Sequence, residues 1–276
     1  MKREVLRLNV KNSFGAWDFI LSGTGGLTLV RGGKTVLDGT KPPLIYRIYG
    51  GADYDFWLNN YTRDIKHTRS WAFGDFARPG LKAVEKKYKS GDFPFEFRAA
   101  CIRSGGESAE ISTEFLAPNA PKPNSGAPAR MLLRYTLTKD AADIEIFWEK
   151  KTAARLTESV LFRMYPGFTG ENPLTLYKLG IAVNPNETVE NGGRNLAAVE
   201  KSLIRTEGGA FWIENVHAPL IARGGGDILR FENALRDINA DGISFVLYDN
   251  VWGTNFPLWY EDNAYFRFSL SPIVSG

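Results

Sequence analysis

Cysteine and histidine are nearly missing from this sequence, whose 276 residues hold one cysteine, Cys101, and two histidines, His67 and His217. A single thiol excludes an intramolecular disulfide, so packing alone must hold the fold in any redox compartment. No CxxC spacing or nearby histidine activates Cys101, which reads as a small buried apolar residue. A catalytic zinc needs about three converging nitrogen, sulfur or carboxylate ligands, usually with histidine among them. Two histidines far apart in sequence, with no HxD or HxxxH spacing, predict no metal and no cofactor. Long apolar runs are absent as well: nothing approaches the roughly 20 residues needed to cross a bilayer. The opening MKREVLRLNV has charges but lacks the apolar stretch of a secretory leader. A soluble, cytoplasmic chain with no membrane partner is therefore expected. Charge of one sign is also lacking, since 34 basic and 31 acidic side chains leave +3. These charges are spread along the chain, and no nucleic-acid partner is expected. The triple glycine Gly224–Gly226 lacks the strand, helix and spacing of a phosphate-binding loop and reads as a turn.

What the sequence does contain is period-two alternation, the mark of half-buried strands. With 43% hydrophobic residues it has enough apolar mass for a large core, and residues 1–276 are expected to form one domain. Leu6, Leu8 and Val10 alternate with Arg7 and Asn9, and Trp17–Leu21 follows as a second strand. LTLV followed by RGGK predicts strand, hairpin turn and strand. Further strands are expected at Pro94–Ile102, Ser108–Leu116, Arg130–Thr138, Asp143–Lys150, Val160–Tyr165 and Leu174–Val183. The pattern continues at Ala210–Glu214, Leu220–Ala222, Ile243–Tyr248 and Tyr265–Leu270. Residues 117–128, APNAPKPNSGAP, carry too much proline for a ladder and predict an exposed loop. One helix is expected over Ala52–Tyr61, with Asp53 as its cap and Tyr54, Trp57, Leu58 and Tyr61 on one face. Many strands with one short helix predict an all-β, large antiparallel β-sandwich.

The run LYDNVWGTNFPLWYEDNAYFRFSL, Leu247–Leu270, resembles the ending of a family related to family-38 α-mannosidases. The similarity extends through Ala154–Phe162, Tyr177–Gly180, Asn191–Glu200 and His217–Ala222, in the order that family shows. Tyr49–Tyr61 and Trp71–Leu81 resemble its sandwich region more loosely, and Lys82–Lys151 resembles it least. The resemblance implies the carboxy-terminal sandwich of a family-38-like glycoside hydrolase, with galactose-mutarotase-like architecture. It further implies that the zinc-bearing catalytic barrel of such enzymes is not within these residues. The expected role is then a non-catalytic, carbohydrate-associated module, with saccharide as ligand and a catalytic barrel domain or subunit as partner in trans. A sandwich built to pack on a barrel would also leave an apolar contact face.

Aromatic rings flanked by amides and carboxylates suit saccharides, because a ring stacks on the apolar face of a pyranose while polar neighbours bond its hydroxyls. Trp252, Asn255, Trp259, Tyr260 and Glu261 have that composition. In the resembling architecture a sandwich loop reaches the barrel, which adds Arg194 and Asn195 of the NGGRN stretch to the candidates. Each also has a plain structural reading, as core ring or turn residue. Two alternatives remain open at this point. One is a self-contained sugar-active enzyme, either a glycosidase or a mutarotase-like protein using Glu158 or Glu214 as base and His217 or His67 as acid. The other is a structural or assembly domain.

Overall fold

The computed structural model describes residues 3–61, 66–67, 89–120, 125–251 and 259–273. The first strands are β1 (Arg3–Val5), β2 (Lys11–Phe14), β3 (Trp17–Leu21), β4 (Leu27–Arg31), β5 (Lys34–Leu37) and β6 (Leu44–Ile48). Helix α1 (Gly51–Tyr61) precedes β7 (Gly91–Pro94), β8 (Glu96–Ser104), β9 (Ala109–Leu116), β10 (Arg130–Leu137) and β11 (Ala142–Lys151). Then come β12 (Glu158–Met164), β13 (Leu174–Lys178), β14 (Ile181–Val183), β15 (Leu196–Ala198), β16 (Lys201–Thr206), β17 (Gly209–Asn215) and β18 (Leu220–Arg223). A short α2 (Ile238–Asp241), β19 (Ile243–Asp249) and β20 (Asp262–Pro272) complete the chain.

These strands form antiparallel sheets of ten, six and four members, so the fold is all-β. The ten-stranded sheet runs β1-β8-β9-β10-β11-β20-β17-β16-β13-β14. Its centre is β20, the last strand in sequence, which joins the early hairpins to the later ones. The six-stranded sheet, β15-β18-β19-β12-β6-β7, faces it across one continuous apolar core, to which β2-β3-β4-β5 adds Trp17, Phe19, Leu21 and Leu29. Phe268 of β20 sits 5.1 Å from Phe162 and 4.9 Å from Phe245, joining the large sheet to the middle of the six-stranded one. Strands β12 and β19 are buried on both faces because α1 covers their far side. There Tyr54, Trp57 and Leu58 pack with Ile45, Leu161 and Val246 in a second cluster. Double burial explains why ESVLFRM and ISFVLYD read as nearly continuous apolar runs.

Several expectations are corrected. The first alternation does not continue to Val10: β1 stops at Val5, Asn9 takes φ 56°, and Leu8 and Val10 are exposed. Asp53 is not the cap residue of α1 but lies in its first turn, where its carboxylate accepts from the Gly50 N–H at 2.8 Å. Tyr61 is helical, with its side chain outside the description. A second helix, α2, is capped by Asp237, whose carboxylate accepts from Asn239 N–H at 2.8 Å. The proline-rich loop is not simply exposed, since Pro118, Ala120, Gly126 and Pro128 are buried, and residues 121–124 lie outside the description. Cys101 is only half-buried.

The expected single strand Leu174–Val183 is a hairpin, because Leu179 (φ 51°) and Gly180 (φ 79°) make a two-residue turn between β13 and β14. A leucine at positive φ carries roughly 1 kcal/mol of strain, and Leu179 is 91% exposed, so no packing offsets it. Leu179→Asn is expected to stabilise the protein by about 0.5–1 kcal/mol. That gain would appear as a higher denaturant midpoint at unchanged slope; an unchanged or lower midpoint would contradict the turn geometry.

Candidate functional site

Antiparallel pairing puts directly opposed side chains on the same face, so the register defines the outer surface of the ten-stranded sheet. Ser112, Arg134, Glu145 and Arg267 form one row across β9, β10, β11 and β20. Glu114, Leu132, Phe147 and Tyr265 form the next. The face is laced with ion pairs: Arg130 meets Glu114 at 2.9 Å and Glu149 at 3.1 Å, and Arg134 meets Glu145 at 3.3 Å and Glu110 at 3.8 Å. Partly exposed pairs of this kind contribute about 0–1 kcal/mol each. They are weak supports for the fold, but they supply donors and acceptors side by side on a rigid surface.

Above this ladder, between it and the β1 edge, lies a cavity of about 640 Å³ whose walls include Leu6, Phe97, Arg98, Glu114, Leu132 and Arg134. That volume falls within the range of small-molecule pockets, roughly 300–1,000 Å³. Beside it, Phe147 and Tyr265 form an aromatic shelf with ring centres 4.7 Å apart, and the Arg134 guanidinium lies 5.4 Å from the Phe147 ring. The Tyr265 hydroxyl donates to Glu145 Oε1 at 2.6 Å, and that bond pushes the phenol above its ordinary range. His217 reaches the shelf from the end of β17, 5.5 Å from the Tyr265 ring. A second aromatic pair, Tyr177 and Trp212, lies on the same face under Lys201. Trp212 is opposite Ser271, so it stands roughly 20 Å along β20 from Tyr265.

The candidate residues separate into two groups. Trp259, Tyr260 and Glu261 are exposed and lead directly into β20, at the shelf's end of the sheet. Arg155 lies 5.0 Å over the Trp259 ring, and the Tyr260 hydroxyl donates to Asn263 O at 3.1 Å. Trp252 and Asn255 lie outside the described residues. Arg194 and Asn195 are elsewhere, at the start of β15, where Arg223 N–H bonds Asn195 O beside the first residue of β19. Strand β19 has seven residues and separates the two groups by roughly 20 Å. Nor are Arg194 and Asn195 free surface groups. Arg194 donates to Asn233 O at 2.9 Å and Asn186 O at 3.3 Å, while Asn195 is 7% exposed and bonded to Ala234 O and Arg236 N–H.

Glu158, the base of the enzymatic alternative, is sealed in the interior. A bulge at Lys150 (φ 55°) shifts β11 by one residue and turns Lys151 inward, where its ammonium meets Glu158 Oε1 at 2.6 Å with both side chains fully buried. Tyr46 donates to the other carboxylate oxygen, as does Gly126 N–H at 3.1 Å. Burial, and then the Glu158 charge, push the Tyr46 phenol far above its ordinary range and keep it a donor. Glu214 is exposed on the outer face, opposite Lys201. Among the described residues no three histidine, cysteine, aspartate or glutamate side chains converge to hold a metal. No described helix is long and apolar enough to cross a membrane.

Comparison with known proteins places this architecture. The model of the family described as a domain of unknown function (DUF5054) matches residues 3–145, more than half of the chain. The chain belongs to the DUF5054 family. No curated protein matches it in sequence. Among solved structures, this DUF5054 chain is similar to an α-mannosidase from Enterococcus faecalis V583, with a TM-score of 0.55, 10% identity and 98% of this chain covered. A glycosyl hydrolase family 38 protein from Enterococcus faecalis gives a TM-score of 0.54 at 10% identity, with 95% covered. The DUF5054 chain spans 30% of the length of each, so what they share with it is the sandwich fold. A galactose mutarotase-like protein from Lactobacillus casei ATCC 334 covers 95% of this chain and 99% of its own at 8% identity, but its TM-score of 0.45 is too low to carry a conclusion.

The surface missed by sequence reasoning is the shelf and its ladder. Its signal was present in the outward half of each alternation: Glu110, Ser112 and Glu114 on β9, Arg130, Leu132 and Arg134 on β10, Glu145 and Phe147 on β11.

Proposed function

We propose that this chain is a non-catalytic, carbohydrate-associated module that takes saccharide on the outer face of its ten-stranded sheet. The observation that carries the reading is the 640 Å³ cavity beside the Phe147–Tyr265 shelf, edged by arginine–glutamate pairs. A pyranose presents apolar C–H faces and a rim of hydroxyls that both donate and accept. Aromatic faces answer the first and mixed guanidinium–carboxylate rows the second. Trp259, Tyr260 and Glu261 form the rim of this surface in the proposal. The shared fold with α-mannosidase structures supports a carbohydrate setting, in which a catalytic barrel in the same or another polypeptide does the chemistry.

A saccharide array with the purified chain, followed by assay of reducing-sugar release from every hit, tests this. Binding without release is expected. Release would make the chain an enzyme in its own right, and a folded sample that binds no saccharide would end the carbohydrate reading.

A further inference from the structure

A second, smaller cavity of about 50 Å³ opens at the far end of the sandwich, between the β13–β14 hairpin and strands β15, β18 and β19. Its lining includes the buried apolar side chains Leu174, Leu176, Ile221 and Ile243, which make its floor, and three cations, Lys178, Arg194 and Arg223. Every described partner of these guanidiniums is a neutral oxygen. Arg194 donates to Thr188 Oγ1, Asn233 O and Asn186 O, while Arg223 donates to Arg236 O and to Asn186 Oδ1. Asn186 thus accepts from both and holds two like charges together. Arg223 is 9% exposed, and its ionised form is disfavoured first by burial and then by the Arg194 charge. The carboxylate whose field favours it is Asp237, which is engaged at the cap of α2.

Two adjacent cations, one nine-tenths buried and neither hydrogen-bonded to a carboxylate, are costly unless an anion joins them. A guanidinium has five N–H donors, and three on each arginine are occupied, so two on each remain. We propose that this cavity is a binding site for a small carboxylate, whose oxygens meet Arg194 and Arg223 and whose apolar end rests on the leucine and isoleucine floor. The size agrees: at roughly 10–15 Å³ per water-sized occupant, the cavity holds about four heavy atoms, the number in acetate. A group with no apolar part, such as sulfate, would satisfy the arginines but waste the floor.

The test uses the folded protein with acetate, sulfate and chloride at constant ionic strength. Calorimetric titration should show saturable acetate binding that chloride does not reproduce. Arg194→Gln, checked for folding by circular dichroism, should weaken it at least tenfold, whereas Arg205→Gln, outside the cavity, should leave it unchanged. Saturation-transfer NMR on the wild-type protein supplies a readout that needs no variant: irradiating protein methyls should attenuate the acetate methyl signal. Absence of saturable acetate binding, sulfate binding without acetate binding, an Arg194→Gln variant that binds as tightly as wild type, or no transfer to the acetate methyl would each overturn the assignment.

Discussion

Replacing Lys151 with methionine is expected to destabilise the protein by about 3–5 kcal/mol, because it strands the Glu158 carboxylate in the interior. At the size of this chain that corresponds to a drop in Tm of roughly 10 °C. Lys151 and Glu158 are both fully buried at 2.6 Å, and the pair also holds the far end of the proline-rich loop, since the Lys151 ammonium donates to Gly126 O at 2.9 Å. The network tolerates no side chain at residue 126, where a Cβ would lie 2.7 Å from Glu158 Oε1. Removing both charges tells more than removing one. Lys151→Met combined with Glu158→Leu should recover much of the loss, leaving about 1–3 kcal/mol for the Tyr46 hydroxyl, which then lacks its carboxylate acceptor, while Gly126 N–H keeps its 3.1 Å bond to that hydroxyl oxygen. Chemical denaturation of both variants checks this; a single variant as stable as wild type would mean that the carboxylate is hydrated rather than sealed.

Tyr265→Ala and Phe147→Ala are each expected to weaken saccharide binding about tenfold, or about 1.4 kcal/mol, and the double variant should bind below detection. The two rings meet at 4.7 Å as one shelf, so the loss of either removes stacking area and exposes its neighbour to water. Tyr265→Phe separates stacking from hydrogen bonding, because it keeps the ring but frees Glu145 Oε1 from its 2.6 Å partner. It should fall between Tyr265→Ala and wild type. Trp212→Ala, on the same face but roughly 20 Å along the sheet, should leave affinity within twofold of wild type. Titration calorimetry on the array hit measures all five variants; equal losses at Trp212 and Tyr265 would move the site away from the cavity.

The strands of the ten-stranded sheet were legible in the sequence because one face of each is buried, and β9, β10 and β11 follow their alternation almost residue for residue. What alternation does not carry is where a strand stops. Positive φ at Leu179 with Gly180 ended a strand where the apolar pattern ran on, and β1 had already stopped at Val5, ahead of the positive φ at Asn9. Strand β6 was missed for the opposite reason: LIYRI is buried on both faces at most positions and alternates little. The candidate site was less legible. Trp259–Glu261 was visible as a cluster because its residues adjoin in sequence, whereas Arg134, Glu145, Phe147 and Tyr265 come together only through strand register. The family evidence has the same asymmetry. The resemblance was read chiefly from Leu247–Leu270, yet the family model matches residues 3–145, which hold β8–β10, the strands that wall the cavity.

Hydroxyl-radical footprinting with and without the saccharide identified on the array tests the central claim most directly, because it reports side by side which surface rings the ligand covers. The account predicts protection of Phe147 and Tyr265, with Trp212 and Tyr177 labelled equally in both samples. Saccharide that protects Trp212 and Tyr177 while leaving the Phe147–Tyr265 shelf as reactive as before would contradict it.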